Sequence, residues 1–243
     1  ERAFREALGK EGDMPLWLSS VIRLNGVVKY SKTVLSPTTA MRNIWSAFFF
    51  AVANGHFDIS QMRKSLSVRS EYFGGDTKAA NLDYLKRLKK LGVIYDTPYA
   101  GEMMDLLQDS RIEEMMTNKK VFSTFTKLND FAQKFYQYGD DMWKIMGWEN
   151  EKAMLMKHKG MSEADAEVAA AERIRNTYPT YSMTGRFTQS LRRFPLAGTF
   201  VSFPAEIIRT SYHMLRYLKQ DFKDSPAYAA RKVAGLALVS SLA

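Results

Sequence analysis

The sequence predicts an all-α protein, an irregular array of several helices with a long amphipathic helix near the C-terminus. Apolar residues recur every three or four positions along almost the whole chain, and no segment shows the sustained alternation of a strand. Residues that start and stop helices divide this pattern into separate segments. An apolar fraction of 46% over 243 residues is enough to form a hydrophobic core.

The first predicted helices begin at capping residues and end at glycines. Ser36 and Pro37 have the residue types of an N-cap and a first helical position, and Gly55 is a stop signal. A second helix begins after Asp76 and ends at Gly92. Its apolar face carries Leu82, Leu85, Leu88 and Leu91.

A helix with an aromatic face is predicted from Asn118 to Tyr138, where Gly139 is expected to end it. Asp140 or Asp141 should then cap a further helix. Neighbouring aspartates on a helix point about 100° apart, so we interpret this pair as a cap rather than as catalytic residues. This face is predicted to be buried, and it consists of Phe122, Phe125, Leu128, Phe131, Ala132, Phe135 and Tyr138.

The next helix is alanine-rich and runs to about Arg175. Ser162 and Asp165 resemble a capping box at its start.

The main break in the helical pattern follows at Tyr178, Pro179 and Gly185. It predicts a helical domain over 1–178 and a basic amphipathic helical region over 179–243 that faces a membrane or other subunits. Because the chain stops within an apolar run, we expect it to be a segment of a larger polypeptide.

A long helix is predicted from about Thr199 to Phe222. Its polar residues alternate at spacings of four and three, which places them in one stripe. The remaining surface is mostly apolar and wider than a surface helix needs, so we expect it to pack on two sides or to meet lipid. The polar stripe consists of Ser202, Glu206, Arg209, His213, Arg216, Gln220 and Lys223.

Basic residues dominate the C-terminal region. Residues 186–243 contain nine Lys or Arg and three acidic residues, whereas 101–185 contain 11 and 14. Such a surface attracts phosphate groups of nucleic acid or lipid, although a solvated helix face is the alternative for the stripe cations alone. The candidate phosphate-binding residues are Arg192, Arg193, Arg209, Arg216, Lys219 and Lys223.

No catalytic, cofactor or metal site is predicted. The absence of cysteine excludes disulfides, thiol nucleophiles and cysteine-ligated metals. His56, His158 and His213 have no carboxylate at the spacing of a helical metal motif, and no phosphate-loop or nucleophile-elbow motif is present. We therefore expect a protein that is not an enzyme.

Several short phrases together resemble a helical region of the internal virion, or DNA-ejection, proteins of short-tailed phages, with the large polyvalent-protein-associated helical domain. They are KTVLSP at 32–37, RN at 42–43, DD at 140–141 with Lys144, NTYPT at 176–180, RFP at 193–195 and FVSFP at 200–204.

This resemblance implies a non-enzymatic segment that is packaged in the virion interior and delivered to the host cell envelope with the genome. It implies a homo-oligomeric conduit, with other ejection proteins, phage DNA and the host inner membrane as partners. A nucleic-acid-binding accessory domain of a virion-packaged polymerase is the alternative function. A third is an enzyme domain whose catalytic residues lie outside this chain.

Overall fold

The computed structural model of the chain describes residues 36–68, 72–74, 79–94, 119–180 and 202–242. Of this part 87% is helical and none of it forms a strand, which confirms the all-α prediction. Its α-helices are α1 (Pro37–Ala53), α2 (Met62–Ser65), α3 (Ala79–Lys90), α4 (Lys119–Lys159), α5 (Glu163–Thr177), α6 (Ser202–Asp224) and α7 (Pro226–Leu242). Short 3-10 turns at Ile59–Gln61 and Leu66–Val68 flank α2.

The longest helix, α4, is the centre of the packing. Helices α1, α2 and α5 contact it directly, α6 packs on α5, and α7 packs on α1 and α6. The buried apolar side chains of these elements form one core. Its largest fully buried members include Leu85, Leu88, Ile145, Trp148, Leu155, Ile174, Tyr178 and Tyr228.

Several predicted helix ends are confirmed. Gly55 and Gly92 both have the positive φ angles, 76° and 70°, of residues that end helices. The Ser162 hydroxyl accepts a hydrogen bond from the backbone N–H of Asp165 at 3.2 Å, as a helix cap does. The predicted cap at Asp76 lies outside the described residues.

The predicted helix stop at Gly139 is wrong, because α4 continues through it without a break. A Cβ atom at this position would lie 2.7 Å from Cγ1 of Ile44, so the glycine allows α1 to approach closely. Asp140 is correspondingly not a cap and pairs with Lys144 one turn later at 2.8 Å. Phe131, predicted on a buried face, is exposed.

The predicted regions 1–178 and 179–243 are in contact over the described residues. Tyr178, at the predicted boundary, is fully buried, and Tyr228 of α7 belongs to the same core. Within the described ranges no helix combines the length and the apolar character that a bilayer span requires.

Candidate functional site

Buried charged side chains fix α6 and α7 to the rest of the fold. Asp221 of α6 accepts two parallel hydrogen bonds of 2.9 Å from Arg173 of α5. Lys159 and Lys232 each place Nζ 2.8 Å from an Asp221 oxygen, and Arg173 also donates to Glu151 at 2.8 Å. We call these five residues the buried ion cluster; all but Lys159 are at most 6% exposed.

His56, which follows α1, joins this cluster to the core. Its Nε2 lies 3.0 Å from Glu151 Oε2, and its Nδ1 lies 2.9 Å from the Tyr178 hydroxyl. Burial lowers the pKa of His56 and outweighs the opposite effect of Glu151. Burial also raises the pKa of Tyr178, so its hydroxyl keeps its proton. The neutral ring therefore donates to Glu151 and accepts from Tyr178.

The carboxylates of the cluster stay ionised despite their burial. Burial alone would raise the pKa of Asp221, but hydrogen bonds from Arg173 and the charge of Lys232 bring it below its usual value of 3.8. The pKa of Glu151 is likewise well below 4.5, because Lys232, the His56 hydrogen bond and Arg173 together outweigh burial. Compensated charges of this kind make burial of the cluster possible.

A second polar contact fixes the start of α6. Glu206 is fully buried and accepts the backbone N–H of Thr180 at 2.8 Å. Arg209 donates to both Glu206 oxygens, at 2.9 and 2.8 Å. The same guanidinium group also donates to the carbonyl oxygens of residues 175, 176 and 178 at the end of α5. Arg209 therefore holds α5 and α6 together.

The inward side of α6 is largely polar. Its residues are at most 9% exposed, and they are Glu206, Thr210, Met214, Tyr217 and Asp221. Within the polar stripe, Glu206 is thus buried and Lys223 is exposed. The alternative interpretation of the stripe cations as a solvated face is wrong for Arg209, because its guanidinium group bonds to Glu206 and to the end of α5.

The outward side of α6 combines large apolar side chains with cations. Four apolar residues on it are between 49% and 72% exposed: Ile208, Tyr212, Leu215 and Phe222. Three cations are exposed beside them: Arg216, Lys219 and Lys223. We call these seven residues the outer face of α6.

The outward side of α7 is uncharged. The two charged residues of this helix are held elsewhere, since Lys232 belongs to the buried ion cluster and Arg231 donates to the Gly55 carbonyl oxygen at 2.6 Å. The exposed residues of the helix are small or apolar. They are Pro226, Ala227, Ala230, Val233, Ala234, Ala237, Leu238, Ser240 and Ser241.

The candidate residues from the sequence thus fall into three groups. Arg216, Lys219 and Lys223 lie together on the outer face of α6. Arg209 has its donors engaged within the chain, as described above. Arg192 and Arg193 lie outside the described residues.

The buried ion cluster was not foreseen from the sequence. Its members come from α4, α5, α6 and α7, so no single spacing along the chain reveals them. The available signal was weak: Lys232 follows Arg231 in an otherwise apolar helix, whereas Asp221 lies among other polar and charged residues and nothing nearby marks it as buried.

A half-open cleft of about 890 Å³ lies among residues of α2, α3, α4 and α5. Two buried carboxylates, Glu149 and Glu167, line it, and Lys152 lies 3.7 Å from each. Lys64 pairs with Glu149 at 2.9 Å, and Arg87 pairs with Glu167. The buried acids of this cleft are therefore already neutralised by the chain's own cations.

No group of three or more His, Cys, Asp or Glu residues that could hold a metal ion occurs in the described part of the chain. Comparisons with protein-family models, curated proteins and solved structures find no match. The outer face of α6 is the candidate surface, because large apolar side chains and cations are exposed together on it.

Proposed function

We propose that this chain is a non-enzymatic structural segment of a phage internal virion protein, and that it contacts phosphate-bearing surfaces through the outer face of α6. One observation supports this role above the others. The helix separates its charges, with Glu206 and Asp221 buried and Arg216, Lys219 and Lys223 exposed.

This separation matters because charge that is neutralised inside the fold contributes little to the field outside. Glu206 is paired with Arg209, and Asp221 is paired within the buried ion cluster. The remaining acid, Asp224, pairs with Lys159 at 2.7 Å. The potential outside α6 is therefore set by three cations, which attract phosphate groups.

The resemblance to ejection proteins of short-tailed phages supports the wider biological role. In this role the chain is carried in the virion interior and delivered to the host cell envelope. There it contributes to a homo-oligomeric conduit, with other ejection proteins, phage DNA and the host inner membrane as partners. The fold uses helices and buried ion pairs, and its stability does not depend on disulfides.

The test measures binding of the chain to duplex DNA and to anionic vesicles over a range of salt concentrations. The triple variant R216Q/K219Q/K223Q should lower the magnitude of the DNA salt slope by about one for each lost phosphate contact. The control triple variant, R63Q/K127Q/K157Q, removes the same charge from exposed positions elsewhere and should leave the slope near that of the parent.

Equal effects of the two triple variants would show that net charge alone drives binding and would contradict the assignment to α6. Absence of binding to both DNA and vesicles would contradict the proposed function itself. Strong DNA binding without vesicle binding would favour the polymerase accessory domain. Imaging of the assembled protein tests the conduit, which requires ring or tube oligomers.

A further inference from the structure

We infer that α6 and α7 form a membrane-docking unit that lies in the headgroup region of an anionic bilayer. This inference rests on the proposed function and specifies its partner, because it selects lipid over DNA and over a second copy of the chain. The partner is recognised by two chemistries at once, an anionic phosphate layer and the apolar layer beneath it.

Ordinary surface helices bury apolar residues and expose charged ones, whereas α6 and α7 each bury charged side chains and expose large apolar ones. Glu206, Asp221 and Lys232 are turned inward and are at most 5% exposed. Leu215 of α6 and Leu238 of α7 are instead 61% and 50% exposed. Large apolar side chains exposed beside cations, with the acidic side chains buried, suit a surface that meets anionic lipid.

On α6 the exposed apolar residues form a continuous line. Ile208, Tyr212, Leu215 and Phe222 follow one another at spacings of four, three and seven residues, which keeps them on one side of a helix. Lys219 fills the remaining position in this line. A lysine there can lay its apolar stem along the lipid boundary while its ammonium group reaches a phosphate.

Aromatic and cationic residues complete this interfacial pattern. Tyr212 is a side-chain type that favours the headgroup boundary, and Phe222 is one that interfacial helices carry on their apolar face. Arg216 and Lys223 lie seven residues apart along one edge of the apolar line, so both can reach phosphates when the line is buried.

The outward side of α7 extends the apolar surface without adding charge. Val233 is 41% exposed, and the alanines around it are small and uncharged. Because Lys232 and Arg231 are bonded within the chain, no ion on this side has to lose its water when lipid approaches.

The charge of the surface formed by α6 and α7 argues against a second copy of the chain as its partner. In a symmetric pair each patch meets itself, so Arg216, Lys219 and Lys223 would face the same cations of the partner. Helix α7 contains no acidic residue, and the acids of α6 are buried or paired, so neither helix offers compensation. The phosphates of DNA could pair with these cations, but DNA would leave the apolar side chains of Ile208 and Leu215 exposed to water.

The experiment measures partition of the whole chain into vesicles of phosphatidylcholine mixed with phosphatidylglycerol, and into vesicles of phosphatidylcholine alone. We expect strong binding to the mixed vesicles, reduced about fivefold by each of R216Q, K219Q and K223Q. L215Q should reduce binding about tenfold. V168Q, which changes a residue of α5 with 60% exposure, is the matched control and should have no effect.

The chain has no cysteine of its own, so a dye can be attached at a single introduced cysteine. Such a dye reports how deeply the labelled position enters the bilayer. A polarity-sensitive dye on S211C, beside the outer face of α6, should report an apolar environment on the mixed vesicles. The same dye on A164C of α5 should remain in water.

The outcomes separate the two proposals. Vesicle binding that depends on the three cations but not on Leu215, with a water-exposed dye at position 211, would overturn the docking inference and leave the proposed function standing. DNA binding without vesicle binding would also overturn the docking inference, and it would favour the polymerase accessory domain over the conduit. Oligomers that L215Q dissolves, without any vesicle binding, would identify a second copy as the occupant and also overturn the inference.

Discussion

Asp221→Asn removes the negative charge that α6 contributes to the buried ion cluster while keeping the shape of the side chain. The wild-type carboxylate accepts two 2.9 Å bonds from Arg173 and lies 2.8 Å from both Lys159 and Lys232. Asparagine would leave Arg173 and Lys232 buried with an uncompensated positive charge. Removing one partner of a buried ion pair costs about 3–5 kcal/mol, so we expect a loss of that size in the free energy of unfolding.

Urea unfolding at neutral pH, followed by circular dichroism, measures this loss, which corresponds to a decrease in melting temperature of roughly 6–20 °C. Asp224→Asn is the control, because it makes the same change on the same helix at a residue that is 43% exposed at its side chain and pairs with Lys159. The control should cost less than about 1 kcal/mol. If Asp221→Asn cost no more than Asp224→Asn, our account of how α6 is held would be refuted.

Other predictions test the pH response, the helix contacts and the orientation of α6. The folded pKa of His56 lies below its ordinary 6.5, so the unfolded chain binds the proton first as pH falls. The free energy of unfolding should therefore decrease from about pH 7 to about pH 5. The decrease should be less steep in His56→Gln. An equal pH slope in that variant would contradict this. Gly235→Ala places a Cβ against the Val52 carbonyl oxygen, well inside van der Waals contact, so thermal unfolding should show a loss of roughly 3 kcal/mol. A neutral effect would contradict the contact between α7 and α1. Leu215→Gln should change stability by less than about 0.5 kcal/mol and Met214→Gln should cost about 2 kcal/mol; the reverse order in urea unfolding would place the other side of α6 inward.

The helices and several of their ends were predictable because they depend on neighbouring residues. A capping serine at 162 and glycines at 55 and 92 act within one turn of their own helix, so local chemistry is sufficient. The same reasoning was wrong at Gly139, where contact with Ile44 of another helix decides the outcome. A glycine that ends a helix and one that admits a neighbouring helix are identical in the sequence.

The candidate surface was predictable in composition but not in orientation. The run of cations and apolar residues from Arg209 to Lys223 was visible in the sequence, and it indicated contact with phosphate or lipid. It did not reveal that Arg209 bonds to Glu206 and to the end of α5, while Arg216 and Lys223 face outward. Arg209 is held inward by carbonyl oxygens that lie 30 or more residues earlier in the chain, and spacing along the helix does not show such contacts.

The amino-acid sequence by itself determined an all-helical chain with a cationic and apolar C-terminal region, since helical period and charge are properties of neighbouring residues. Only the tertiary structure decided which side of α6 is buried. A carboxylate such as Asp221 can be buried only where cations from other helices meet it, and Arg173, Lys159 and Lys232 come together only in the folded protein.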